Sequence, residues 1–198
     1  MATMELTVHP ATPSDIPAIQ ALAHRIWHDC YPSIISLEQI AYMLEKMYGT
    51  QVLERELASG VAYELARLGG EAVGFLSYSI PSGDRQPISK QPEIGVRPRC
   101  EKRTRELTLH KLYLLKELQG KGLGQQLLAH LKNQARELGA ATISLRVNRQ
   151  NQQAIAAYQR AGFVIVETNV ADIGGGFVMD DYIMKCQMKP QMNADHDR

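Results

Sequence analysis

Residues 119–124 read Gln-Gly-Lys-Gly-Leu-Gly, and the amphipathic run from Gln125 to Gly139 follows at once. The first-turn amides of a helix have no intrahelical acceptor and sit at the positive end of its dipole. A strand, a glycine-rich turn and a helix start therefore form a site for an anion such as a phosphate. Glycines let phosphate oxygens approach the backbone without meeting a Cβ. Two familiar phosphate loops fail here on spacing. A Walker loop needs Ser or Thr after its lysine, and Gly122 follows Lys121. The dinucleotide fingerprint needs Gly-x-Gly-x-x-Gly, whereas Gly120, Gly122 and Gly124 are evenly spaced. A glycine-rich turn with no ligand stays open at this point.

The elements that must position this loop follow from periodicity. "MELTVHP" alternates as a short first strand stopped by Pro10. Ser14 offers an N-cap to a helix carrying Ile16, Ile19, Leu22, Ala23 and Ile26, which ends near Tyr31 and Pro32. Ser36, with Gln39 as the partner of a capping box, opens a second helix, and "TQVLERELASG" forms a short third. From Val61 the period drops to two, giving strand, Gly-Gly turn, strand up to Pro81. "LTLHKLYLL" is a strand, "GLGQQLLAHLKNQAREL" a helix, "ATISLRV" a strand and "NQQAIAAYQRAG" a helix. "FVIVETNVADIGGG" and "FVMDDYIMKCQM" close the chain as two strands.

Twenty-two Lys and Arg against twenty-one Asp and Glu leave a net charge of +1, which argues against nucleic acid and anionic membranes as partners. Three cysteines, Cys30, Cys100 and Cys186, lack the spacing of a zinc site, and no secretory segment opens the chain, so a reducing cytoplasm is expected. No apolar run approaches the roughly eighteen residues of a membrane span. The expected organisation is one domain over residues 1–189, with an exposed basic loop at 81–105 and a disordered tail at 190–198. Seven Lys and Arg stand against three Asp and Glu between residues 84 and 105.

Gln119, Gly122 and Gly124 fit Gln/Arg-x-x-Gly-x-Gly/Ala, and with "LYLLKELQGKGLGQQLL" and "LRVNRQNQQAIAAYQRAGF" the chain resembles the GCN5-related N-acetyltransferase (GNAT) superfamily. The specific blocks cover residues 107–166; within the superfamily, the chain looks like small bacterial-type N-acetyltransferases, some of whose relatives act on polyamines. Lys116-Glu117-Leu118 departs from the usual Pro-Glu-aromatic run, and the basic segment is longer than a plain hairpin connection. The resemblance implies an α/β fold with a mixed, mostly antiparallel twisted sheet of about six or seven strands flanked by helices. It implies an acetyl-CoA-dependent N-acetyltransferase, with no metal, that moves an acetyl group to a primary amine by direct attack through a tetrahedral intermediate. The acceptor would be a small amine, a polyamine or a peptide N-terminus. A non-catalytic acyl-CoA-binding regulator and a ribosome- or protein-modifying acetyltransferase are the alternatives, and a homodimer is allowed.

Residue by residue, the resemblance assigns the cosubstrate to Leu112, Tyr113 and Leu114, to Gln119, Gly120, Lys121, Gly122, Leu123, Gly124 and Gln125, and to Asn148 and Asn151. The Leu114 N–H would polarise the thioester carbonyl. Tyr158 would protonate the departing thiolate, its alternative being a tyrosine at the core boundary. Asn151 could serve as a helix cap alone. Strand alternation places Thr108, His110, Leu112 and Leu114 on one face, so His110 is expected to point at the reacting centre and take the amine proton, directly or through water; a hydrogen-bonded strand histidine is the alternative. Trp27 and Tyr31 would line the acceptor groove, with core burial as the rival role for Trp27. Asp180 and Asp181 would form an acidic pair steering an ammonium group, or else two exposed turn carboxylates.

Overall fold

The computed structural model describes residues 5–80 and 105–188. The expected basic loop, apart from Arg105, and the expected tail lie outside the described residues. The chain runs β1 (Leu6–Pro10), α1 (Ile16–Cys30), α2 (Leu37–Tyr48), α3 (Thr50–Ala58), β2 (Ala62–Leu68), β3 (Glu71–Ser79), β4 (Arg105–Leu114), α4 (Leu123–Glu137), β5 (Ala140–Asn148), α5 (Gln152–Arg160), β6 (Val164–Gly174) and β7 (Phe177–Gln187). The strands form one sheet in the order β1-β2-β3-β4-β5-β7-β6. Every neighbouring pair is antiparallel except β4 and β5, which α4 links as a parallel crossover. This is the expected mixed, mostly antiparallel sheet.

Helix ends follow local chemistry with two departures. Ser36 caps α2 as expected, its Oγ accepting from the Gln39 N–H at 3.2 Å. The Gln39 side chain does not close the capping box; its Nε2 donates to the Val178 carbonyl oxygen on β7 at 3.0 Å. Nor does Ser14 cap α1. A short 3₁₀ turn over Pro13–Asp15 precedes that helix, and the Thr12 N–H donates to Asp15 Oδ2 at 2.9 Å. Proline at the start of the turn, rather than a serine cap, sets where the helix begins.

Helices α1, α2 and α3 cover one face of β2–β4. Ile19, Ile26, Ile40 and Leu53 are fully buried there against Phe75 and Leu65. Lys111 on β4 is only 4% exposed on this face, bonded to Glu56 Oε2 of α3 at 2.7 Å and to the Tyr63 hydroxyl of β2. Burial disfavours its charge and lowers its pKa, while Glu56 opposes the shift. The opposite face packs α4, where His130 Nε2 lies 2.7 Å from Glu64 Oε2 and the Tyr78 hydroxyl donates to Glu64 Oε1 at 3.1 Å.

The irregularity that matters for function is on β4. Against β3, Lys111 pairs with Ser77 but Leu109 pairs with Tyr78, so His110 is an extra residue, a bulge. Against β5 the parallel register runs only to Leu109–Leu145, and the last five residues of β4 have no partner there. The two strands part at this point.

Gly74 lies opposite Leu114 on β3, and a Cβ there would run into the Tyr113 carbonyl oxygen and approach Leu114 Cα to 3.2 Å. Gly74→Ala is expected to lower stability by about 1–3 kcal/mol, the usual cost of overpacking. It should also disturb the free end of β4. A melting temperature equal to that of the wild type would contradict this close approach.

Candidate active site

The opening between β4 and β5 is lined by backbone. The Leu115 N–H donates to the Val73 carbonyl oxygen at 2.9 Å, across to β3. Antiparallel alternation then turns the polar groups of Tyr113 toward β3 and those of Leu112 and Leu114 toward the opening. Of the three residues assigned to the cosubstrate on this strand, Leu112 and Leu114 therefore turn their backbone groups to the opening and Tyr113 does not. Tyr113 instead contributes its ring, whose centroid is 5.4 Å from that of Phe75 and 6.2 Å from that of Trp27.

Beyond Leu114 the chain makes a tight 3₁₀ turn over Lys116–Leu118 and reaches the glycine loop. Gly122 is the N-cap of α4, with φ of +83°, a left-handed conformation that suits glycine. Nothing lies within 4 Å of a Cβ built on Gly120, Gly122 or Gly124. Among the described residues the amides from Gly120 to Gly124 meet no acceptor, since the first capping bonds come from Gln125 and Gln126 to the Gly122 carbonyl oxygen. The loop thus offers open space in front of free amides at a helix N-terminus, which fits a diphosphate. Lys121 is exposed beside it and Leu123 is half-buried.

Two glutamines expected to contact the ligand are committed elsewhere. Gln119 Nε2 donates to the Leu114 carbonyl oxygen at 2.9 Å, and its Oε1 accepts from Gln153 Nε2 at 2.9 Å. Gln125 Nε2 donates to the Ala157 carbonyl oxygen of α5 at 2.9 Å. Their side chains fix the width of the opening by tying β4 and α4 to α5. Asn151 caps α5, accepting from the Ala154 N–H at 3.1 Å, and Asn148 Oδ1 accepts from the Gln150 N–H at 2.9 Å.

The other wall is aromatic. Trp27 stacks on Tyr31 at 4.6 Å between ring centroids and meets Tyr48 edge-on at 6.2 Å. Trp27 is only 4% exposed, so it belongs to the core and supports the wall, while Tyr31 is half-buried. Tyr158 on α5 is buried against Phe163 at 5.7 Å. Burial raises the pKa values of Tyr31, Tyr113 and Tyr158, and the neighbouring phenols reinforce the shift: Tyr113 on Tyr31, Tyr48 on Tyr113, and Tyr31 on Tyr158. These hydroxyls converge near the opening and stay protonated at neutral pH. The Tyr48 hydroxyl and Trp27 Nε1 are buried without a hydrogen-bond partner.

Two expectations fail on geometry. His110 does not share a face with Leu112 and Leu114, because the bulge resets the alternation. Its Nε2 lies 2.8 Å from Ser79 Oγ, it is exposed, and partial desolvation with Lys111 nearby lowers its pKa. Asp180 and Asp181 are not a pair. They are consecutive in β7 and point to opposite faces; Asp180 meets Arg149 Nη1 at 3.2 Å, while Asp181 is 2% exposed. Neither is a turn carboxylate. Cys30, whose Sγ is 3.5 Å from Gln119 Nε2, and Gln153 border the site without any local motif that would have marked them. Among the described residues, no cluster of three or more His, Cys, Asp or Glu side chains could hold a metal ion, and no helix is long and apolar enough to cross a membrane.

Residues 21–163 match the acetyltransferase (GNAT) family. The chain is 24% identical over 161 residues to a protein of Lactobacillus delbrueckii subsp. lactis described as an uncharacterized N-acetyltransferase in the pepI 3′ region, covering 81% of this chain and 85% of that one. A shorter stretch of 56 residues is 38% identical to the L-amino acid N-acyltransferase MnaT of Escherichia coli, covering 28% of this chain and 33% of that one. In three dimensions the chain is similar to the PaiA N-acetyltransferase of Thermoplasma acidophilum, solved with coenzyme A. The TM-score is 0.68 at 21% identity, over 93% of this chain and 99% of that one.

The bulge makes a prediction for His110. Its native pKa is depressed, so the unfolded chain binds more protons as pH drops below about 6.5, and the stability tied to neutral His110 is lost as pH falls from that value through the lower native one. His110→Gln, which can still bond Ser79, should flatten the decline in melting temperature between about pH 7 and pH 5. Its turnover should stay within about fivefold of wild type, far short of the loss expected for a general base. A hundredfold loss of turnover would return His110 to the reaction.

Proposed function

The chain belongs to the acetyltransferase (GNAT) family and is an acetyl-CoA-dependent N-acetyltransferase; from that premise we propose that it acetylates a primary amine in the opening between β4 and β5. The observation that carries this reading is the parting of the strands beyond Leu109 and Leu145. It leaves the free edge of Leu112 and Leu114 facing the buried phenols, with the open glycine loop at one end.

Acetyl-CoA supplies an activated acetyl group as a thioester. The amides from Gly120 to Gly124 and the α4 dipole hold its diphosphate, at positions where a Cβ would occupy the phosphate's space. The N–H groups of Leu112 and Leu114 donate to the acyl arm, and that of Leu114 meets the carbonyl oxygen as negative charge grows there. Such donors are strong because the edge is fixed by Gln119 and removed from water. Tyr158 keeps its proton until sulfur needs it. A phenol is a weaker acid than a thiol, so the transfer depends on position and on the thiolate's charge being desolvated beside it. Tyr31, stacked on Trp27, forms the apolar wall on which the acceptor's carbon skeleton lies.

A screen of primary amines with acetyl-CoA, read by release of free thiol, should find turnover that EDTA does not abolish. Binding of coenzyme A with no thiol released to any amine would favour the binding-only regulator.

Gly124 has an ordinary φ and open space around its Cβ position, so Gly124→Val is expected to fold. It should weaken coenzyme A binding by at least about tenfold by blocking the amides. Isothermal titration alongside a melting curve checks this, and unchanged affinity in a folded variant would contradict the phosphate-loop assignment.

Tyr158→Phe should leave coenzyme A affinity nearly unchanged and lower kcat by about 10² to 10⁴, the range for a positioned general acid. Turnover equal to wild type would make Tyr158 a packing residue.

A further inference from the structure

The acceptor enters solution as an ammonium ion and must lose a proton before its nitrogen can attack. The bulge sets His110 on the face of Ser79 and Lys111, where it is exposed and bonded to Ser79. On β7 a buried carboxylate is a second group able to take that proton.

Asp181 lies on β7 in register with Asn148, the last residue of β5, and with Asn169 on β6. Met184, three residues along, is buried on the α4/α5 face beside Leu145, so Asp181 points to the opposite face, the one that carries α1–α3. That end of β7 is held under α2 by the Gln39 bond to Val178, and the adjoining end of β6 by the Tyr42 hydroxyl, which donates to the Ile173 carbonyl oxygen at 2.7 Å. The carboxylate therefore sits beside Asn148, where β5 ends, on the face that carries α1–α3. It is 2% exposed, yet its Oδ1 has no hydrogen-bond partner.

An ionised carboxylate buried this way costs several kcal/mol unless something pairs with it. The charged groups around it do not. Arg146 on β5 favours its ionisation without forming an ion pair among the described residues, and Asp180 opposes it. Glu167 on β6 lies on the same face two residues along, opposite Ile183, and Asn169 beside Asp181 is neutral. On α2, the Lys46 ammonium is bonded to the Ile173 carbonyl oxygen. We propose that Asp181 receives the acceptor's ammonium group and takes its proton.

The step balances simply. One N–H bond of the ammonium breaks, its proton forms an O–H bond on Asp181, and the freed nitrogen pair attacks the acetyl carbonyl carbon. Tyr158 gives its proton to sulfur as the C–S bond breaks and regains one from the nitrogen. Asp181 then returns its proton to solvent. Desolvation raises the Asp181 pKa, which makes the carboxylate a stronger base than an exposed one.

This inference rests on the N-acetyltransferase reading, and the test separates the two. Wild type and Asp181→Asn are compared from pH 6 to pH 10, with saturating acetyl-CoA and the primary alkylamine of highest wild-type turnover in the thiol-release screen. The variant should fall at least about 10²-fold at pH 7 with coenzyme A affinity unchanged. Its deficit should then narrow about tenfold per pH unit toward the amine's pKa near 10, as free amine from solution replaces the missing base. A deficit independent of pH, or a change confined to the amine KM, would overturn the proposal. No alkylamine turnover by the wild type would overturn the reading of the acceptor itself.

A melting curve guards against misfolding. With a raised native pKa, Asp181 loses stability for the fold as pH rises from about 3.8 through its native value, so the isosteric Asn should melt no lower than wild type at pH 7. A lower melting temperature there would mean that the carboxylate is paired within the fold, and the proposal would fail.

Discussion

The site depends on one interruption of hydrogen bonding. β4 and β5 begin as an ordinary parallel pair, and the pairing ends at Leu109 and Leu145, next to the extra residue His110. A bulge increases local twist and shifts the strand, so the free end of β4 stays with β3 while β5 continues toward β7. The result is a sheet edge inside the molecule. Two peptide groups, at Leu112 and Leu114, are left without partners on β5. Unpaired buried backbone is costly, and Gln119 offsets part of the cost by donating to the Leu114 carbonyl oxygen. The N–H at the same residue has no such partner within the sheet, which leaves it available to a ligand carbonyl.

Holding that opening at a fixed width requires rigid sides. On one side, Lys111 anchors β4 to α3 and β2 through Glu56 and Tyr63. On the other, the Gln125 bond to Ala157 and the Gln119–Gln153 bond join α4 and β4 to the helix that carries Tyr158. Lys111 is the costly member. Its ammonium is almost fully removed from water, and a buried ion pair rarely repays its own desolvation. Its value lies in geometry: the residue immediately after the bulge cannot slide along β3 without abandoning two polar partners.

The larger elements were legible because their periods are unambiguous. The helical spacing of Ile16, Ile19, Ala23 and Ile26, and the change to alternation at Val61, translate directly into α1 and the β2–β3 hairpin. The glycine loop was legible for a different reason, since only close backbone approach explains three evenly spaced glycines at a helix start. What could not be read is whatever depends on phase. Alternation assigned His110 to the Leu112 face, and a single inserted residue reversed it; no residue type in "LTLHKLYLL" announces a bulge. Gln119 and Gln125 matched a ligand-binding pattern, but their long amides satisfy backbone carbonyls across the site, a choice made only in three dimensions. Asp180 and Asp181 likewise read as one acidic pair, with turn carboxylates as the alternative, whereas consecutive positions in β7 send the two carboxylates to opposite faces.

That separation assigns them different physics. Asp180 is partly exposed beside Arg149 and contributes little beyond a surface ion pair. Asp181, one residue later, loses its water and gains no partner. Stability alone would favour an apolar or neutral residue at that position, as it would for the partnerless Tyr48 hydroxyl and Trp27 Nε1 on the same face of the sheet. Among the described residues, Ser77 Oγ is the fourth buried side-chain atom without a partner, and each such group carries a cost that a hydrocarbon side chain would avoid. On the proposed reading, an ammonium group bound against Asp181 offers the donors that its carboxylate lacks. The unsatisfied carboxylate then raises the energy of the empty site relative to the filled one, and on that reading part of the acceptor's binding energy comes from satisfying it.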